Sequence, residues 1–263
     1  VRRLVLALLV LAAVAAAAPA RADFDHTHAA WTGLLARHVV VIDGGKASKV
    51  RYAGFAADRG ALKAYLASLS AVSEGEFRGF AKPQQLAFLI NAYNAYMIEK
   101  VLTKHPDIRS VWDFGKIVGN PFKDRFFTLL GKPMSLDGIE HDTIRAPGAY
   151  DEPRIHFAVN CASIGCPMLR EEAYVGNRLD RQLEEQTRRF LGDRSRNRVD
   201  AAGTALEVSK IFDWYGKDFR GLETWLGARA DLLSDNPAER ANIREGRLRI
   251  RFLDYDWALN AAP

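Results

Sequence analysis

Apolar residues recur at helical spacing through most of this chain. Trp31, Leu34, Leu35, His38 and Val39 predict an amphipathic helix over residues 28–40, and Leu62, Tyr65, Leu66 and Leu69 predict another over residues 59–69, capped by Asp58. The longest helix is expected over residues 83–104. Pro83 suits its first turn, and the middle, L-A-F-L-I-N-A-Y-N-A-Y-M-I, is apolar on nearly every side, so it should be buried all round. Ser135 caps a predicted helix over residues 136–145, and Leu179, Leu183, Gln186 and Phe190 lie in register over residues 178–191. Ser209 caps a helix containing Ile211, Phe212, Trp214, Tyr215 and Phe219, and another spans about residues 222–233.

Strand patterns are shorter. Residues 126–130 and 132–135 predict a hairpin around Gly131, residues 206–208 a short strand, and residues 247–253 a half-buried strand in which arginines alternate with Leu248, Ile250 and Phe252. Residues 155–159, apolar or β-branched except His156, predict a buried strand. Together these elements predict an α+β, helix-rich single domain: a central buried helix beside a small, mostly antiparallel sheet that includes residues 155–159 and the 247–253 tail.

The first 22 residues do not belong to that domain. Two arginines, an apolar run and Ala20-Arg21-Ala22 predict a secretory signal peptide cut before Asp23, leaving 241 of 263 residues as one domain over residues 23–263. The expected location is periplasmic or secreted, with no stable membrane insertion after cleavage, because the apolar run from Leu4 to Ala18 is short for a span. Loss of Arg2, Arg3 and Arg21 takes the formal charge from +5 to +2, which removes any case for nucleic acid. An arginine cluster at positions 188, 189, 194, 196 and 198 reads as a solvated loop diluted by Asp193 and Asp200. His26, His28 and His38 have no cysteine or acid cluster beside them, so neither a metal nor a cofactor is expected.

The candidate chemistry gathers in residues 153–167, P-R-I-H-F-A-V-N-C-A-S-I-G-C-P, which hold both cysteines. Small residues follow Cys161, and Pro167 forbids an ordinary helix, so a tight turn is expected whose free N–H groups favour a thiolate or an oxyanion. In the first reading Cys161 is a nucleophile, His141 its base, and Glu140 or Asp137 the group that orients the imidazole. His156 ranks second as base, since five residues before Cys161 on a strand it would face the other way. Asn91 and Asn94, three residues apart on the central helix, either satisfy neighbouring backbone or line a site. With Asn160 and Arg154 they are the candidate substrate-binding residues.

Several of these segments, L-A-F-L-I-N-A-Y-N-A (86–95), L-D-G-I-E-H-D-T-I-R (136–145), R-I-H-F-A-V-N-C-A-S-I-G-C-P (154–167), S-K-I-F-D-W-Y-G-K-D-F (209–219) and L-D-Y-D-W-A-L-N (253–260), resemble the family catalogued as domain of unknown function 547, found in exported bacterial proteins and in plants. Leu89 stands where relatives often have tryptophan, and Gly165 where serine is common. The resemblance implies relatives and no activity.

Two functions are therefore expected in competition. One is a cysteine hydrolase cleaving an amide or ester outside the cytoplasm, with a division of labour similar to papain-like and transglutaminase-like enzymes; its substrate would be a small molecule, a peptide or a cell-envelope component. The other is an exported binding domain in one of two forms: a redox or disulfide-bearing module in which Cys161 and Cys166 form a bridge, static rather than exchanging because four residues separate them, or a non-enzymatic domain with a groove lined by Trp214, Tyr215, Tyr255 and Trp257.

Overall fold

A helix that is apolar on all sides needs neighbours on all sides, and the fold is arranged to supply them. A computed structural model of the chain describes residues 23–115 and 119–263; the expected leader lies outside the described residues. Helix α1 (Ala29–His38) runs into a hairpin of β1 (Val39–Ile42) and β2 (Ala47–Val50), turned at Asp43–Gly45. Helix α1 is shorter than expected because Val39-Val40-Val41-Ile42 is a β-branched run that favours a strand. Helices α2 (Tyr52–Ala57), α3 (Arg59–Ala71) and α4 (Glu74–Gly79) then lead to the central helix α5 (Lys82–Leu102). Asp58 precedes α3 without capping it, because its carboxylate accepts instead from Arg37 at 3.0 Å and His38 at 2.9 Å.

Seventeen of the 21 residues of α5 are buried, so the helix has almost no solvent face. It packs against α2 and α3 on the N-terminal side of the chain. On another side lies α6 (Leu136–Ile139), which follows the hairpin of β3 (Phe127–Leu129) and β4 (Lys132–Met134). Ser135 Oγ accepts from Gly138 N at 3.0 Å, the expected cap. The helix then widens into a π-type turn, Glu140–Ile144, which places Glu140 and His141.

A second apolar cluster forms in the C-terminal half. Helix α7 (Leu179–Leu191) supplies Phe190 and Leu191, which meet Phe157 and the strands β5 (Arg198–Val199) and β6 (Ala205–Val208). Helix α8 (Ile211–Tyr215) contributes Ile211 and Phe212. The single helix expected over residues 222–233 is two, α9 (Leu222–Gly227) and α10 (Ala230–Leu233), and Gly227, a weak helix former, stands at the break. Helix α11 (Pro237–Arg244) was not foreseen; it precedes β7 (Arg249–Phe252).

The structure is an α+β, helix-rich single domain, with two corrections to the expected sheet. Residues 155–159 are no strand: Pro153–Phe157 is a 3-10 turn, opened by Pro153 and capped by the Glu152 side chain, which accepts from Arg154 N at 3.1 Å. A short buried apolar run has no period that separates the two conformations, and proline at the first position decides for the turn. Among the described residues there are also three small sheets rather than one; the tail strand β7 pairs parallel to β6, which pairs antiparallel to β5. Glu207 on β6 joins the three, meeting Arg198 at 2.8 Å and Arg251.

The last ten residues bind distant parts together. Asn260 N donates to Ala162 O and Val50 N to Asn260 O, while Ile164 N and Gly165 N donate to Ala258 O and Asp256 O. A Cβ on Gly165 would lie 3.0 Å from Asp256 O and from the Tyr255 ring, so the two segments cross closely there and a larger residue would make them shift by a few tenths of an ångström.

Buried carboxamides on α5 hold the other side of the same turn. Asn94 Nδ2 donates to Ala158 O at 3.0 Å and its Oδ1 accepts from Asn160 N at 2.8 Å. Replacing Asn94 by leucine keeps the branched outline but orphans both backbone groups. The denaturation midpoint should fall by the equivalent of about 1–3 kcal/mol; an unchanged midpoint would show that the two backbone groups find other partners.

Candidate functional site

The two apolar clusters leave a cleft between them of about 320 Å³. One wall is the turn after Val159. Asn160 spans it, with Nδ2 donating to Pro167 O at 2.7 Å and Oδ1 accepting from Ala162 N at 3.0 Å. The loop is closed by a disulfide between Cys161 and Cys166, and among the described residues no cysteine is free. The Tyr255 hydroxyl lies 3.1 Å from both sulfurs. A disulfide sulfur has no hydrogen to give, so the hydroxyl is the donor.

That bridge overturns the hydrolase reading. A sulfur in a disulfide is no thiolate, so Cys161 cannot attack a carbonyl, and the Cys-His arrangement expected of papain-like and transglutaminase-like enzymes is absent. Nor is there, among the described residues, a group of three or more His, Cys, Asp or Glu side chains able to hold a metal.

The other candidate residues separate into two groups. Cys161, His141, Glu140 and His156 all line the cleft, as does Asp137. His156 reaches it because it lies on a turn, where the alternation that would have sent it to the opposite face does not apply. Asn91, Asn94, Asn160 and Arg154 are placed elsewhere. Asn91 pairs with both backbone groups of Tyr174, at 2.7 Å and 3.0 Å, and Asn94 and Asn160 bond backbone as described. Arg154 meets Glu152 at 2.7 Å and Asp180 at 2.8 Å on a separate surface.

The polar side of the cleft is a connected network. His156, with a side chain only 1% exposed, places Nε2 2.8 Å from Asp218 and stacks on the Tyr215 ring at 4.0 Å between centroids. Arg145 completes the set, with Nε 2.6 Å from Asp218 and a second nitrogen donating to His141 Nδ1. His141 Nε2 is left facing Asp137 at 3.7 Å, which the expected four-residue spacing provides. The hydrogen bond from His156, joined by Arg145, holds the Asp218 carboxyl well below the usual carboxylate range. Burial, together with the neighbouring Glu140 carboxylate, raises Tyr93 and Tyr215.

The opposite side is aromatic. Trp112 meets Trp257 edge-on at 5.1 Å, Tyr255 lies 4.5 Å from Trp257, and Trp214 lies 4.9 Å from Tyr255. Trp214 is 43% exposed, an unusual position for so large an apolar ring unless it rims an opening. The four aromatics expected to line a groove, Trp214, Tyr215, Tyr255 and Trp257, all line this cleft.

Residues 77–191 match the family model described as Protein of unknown function, DUF547. No curated protein and no solved structure matches the chain. The matched part supplies the disulfide, Asp137, Glu140, His141 and His156, whereas Trp214, Tyr215, Tyr255 and Trp257 come after it. Asp218 and Arg145 were missed by sequence reasoning, although both stand in the quoted segments, because nothing local shows that residues 73 apart meet. Tyr93 was missed because a tyrosine in an apolar helix reads as core.

The Asp218 network has a pH signature. A carboxyl whose folded pKa is depressed adds stability that is full above the unfolded value near 3.9 and is lost as pH falls through the folded value. Asp218→Asn should therefore lower stability at neutral pH by about 1 kcal/mol, modest because the side chain is partly exposed, and flatten the loss below about pH 4. Urea melts of both proteins across that range check this, and parallel curves would contradict it.

Proposed function

We propose that this chain is a non-catalytic binding domain that takes a small organic molecule into the aromatic cleft, with the Cys161–Cys166 bridge as one fixed wall. One observation carries the reading: the two cysteines are bridged where they line a cleft that has one aromatic side. A bridge over so short a loop constrains the unfolded chain little, adding about 2 kcal/mol in the chain-entropy model. Its position favours a local task, holding the turn that forms the wall. The cleft volume, near the low end of small-molecule sites at about 300–1,000 Å³, suits one ring system or side chain better than a polymer.

The proposal includes an address outside the cytoplasm. The arginine-led apolar stretch ending Ala20-Arg21-Ala22 argues for export, and a disulfide persists in an oxidising compartment. Among the described residues no helix is long and apolar enough to cross a membrane.

Three tryptophans in the cleft wall provide the assay. A panel of small amines, alcohols, carboxylates and sugars titrated into the oxidised protein should contain members that change tryptophan emission saturably. Trp214→Ala should then weaken a hit about tenfold by removing one stacking face, worth about 1.4 kcal/mol, with the fold intact. A hit indifferent to both Trp214→Ala and Trp257→Ala would place the ligand elsewhere and defeat the reading.

A further inference from the structure

One donor and one acceptor on the polar side of the cleft are left unmatched. Arg145 donates to His141 Nδ1, and a guanidinium has nothing to accept with, so Nδ1 is the accepting nitrogen and Nε2 carries the ring proton. That Nε2–H faces Asp137 Oδ1 at 3.7 Å, too far for a hydrogen bond, and the Asp137 carboxylate makes none to the other described residues. Both side chains line the cleft and are partly exposed, 32% and 20%. A single atom placed between them can lie about 2.8 Å from each.

The chemistry of that atom is restricted. An ammonium only donates and would confront the Nε2–H; a carboxylate only accepts and would confront Asp137. A hydroxyl does both, accepting from His141 while donating to Asp137. A further open donor lines the same cleft: Asn120 Oδ1 accepts from Phe122 N at 2.9 Å, which leaves Nδ2 without a partner among the described residues. The other side offers ring faces. Trp214, Tyr255 and Trp257 lie 4.5–5.7 Å apart between centroids and are tilted by 32–54°, which makes a continuous, curved apolar wall.

We propose that the ligand is a neutral pyranose, with one hydroxyl seated between His141 Nε2 and Asp137 and one C–H face against the rings of Trp214, Tyr255 and Trp257. A pyranose carries this division in its own structure, with C–H bonds on its faces and hydroxyls around its rim. The slightly positive C–H hydrogens suit the negative face of an aromatic ring, and the hydroxyls suit a wall in which donors stand beside acceptors. A phenol fills the hydroxyl position and leaves Asn120 open. The cleft volume of about 320 Å³ suits one such ring better than a chain of them.

This inference rests on the binding reading, and the test separates their failures. Methyl pyranosides of glucose, galactose, mannose and N-acetylglucosamine are titrated into the oxidised protein by tryptophan emission and calorimetry, beside phenol, phenethylammonium and 3-phenylpropionate. At least one pyranoside should bind saturably, and about tenfold more tightly than each comparator. Asp137→Ala and His141→Ala should each weaken that hit about tenfold, and the double variant little further, because both residues hold the same hydroxyl. If His141→Ala fails to fold, monodeoxy analogues of the hit serve instead: one should lose about tenfold against the native protein and less than about twofold against Asp137→Ala. Losses that add in the double variant, a hit indifferent to both residues, or the absence of such an analogue overturn the seating of the hydroxyl. Comparators that bind through Trp214 as tightly as any pyranoside overturn the sugar assignment and leave the cleft a binding site. Absence of binding by every ligand overturns both.

Discussion

A relay of buried carboxamides connects the central helix to the cleft. Asn94 on α5 grips the backbone at Ala158 and Asn160; Asn160 spans the disulfide turn; Asn260 Nδ2 reaches Asn160 Oδ1 at 3.4 Å, and Tyr52 donates to Asn260 Oδ1 at 2.7 Å. All three asparagines are at most 4% exposed, so none can fall back on water. Each bond contributes only about 1 kcal/mol net, but breaking one strands a buried partner, and that asymmetry fixes the turn. The disulfide then adds a covalent closure to a loop whose backbone is already held on both sides.

The cleft inherits its rigidity from this arrangement. The turn cannot move away from α5 without releasing Asn94, nor from the tail without releasing Asn260. Tyr255, donating to the two sulfurs, therefore stands at a set distance from the wall and positions Trp257 and Trp214 beside it. Across the opening, Asp218 is clamped by His156 and Arg145, which fixes the imidazole that faces the interior. A site assembled in advance loses little entropy when it binds, which matters for a ligand small enough for so modest a volume.

Much of the fold could be read from the residues. The buried helix, the β3–β4 hairpin, α7 and the β6 and β7 strands follow from periodicity and turn residues, because in each the local pattern and the tertiary environment agree. Residues 155–159 did not, since an apolar run without a period fits a buried turn as well as a strand. The cleft was half legible. Cys161, Glu140, His141 and His156 were named and do touch it, whereas Tyr93, Trp112 and Asn120 were not, and the pattern that suggested a nucleophile beside a base also fits a disulfide beside a polar network. Asn91 and Asn94 fit either backbone support or a site by their spacing, and their geometry is that of backbone support. The Arg145–Asp218 pair depends on two segments meeting in space, and no local pattern reports that.

The central claim is that Cys161 and Cys166 are a wall and not a reagent, and a thiol count tests it most directly. Protein purified without reductant and unfolded in excess iodoacetamide should gain no alkyl groups by intact mass, and two after prior reduction. Two groups gained without reduction would mean free thiols in the native protein, contradicting the fixed wall and the binding domain built upon it.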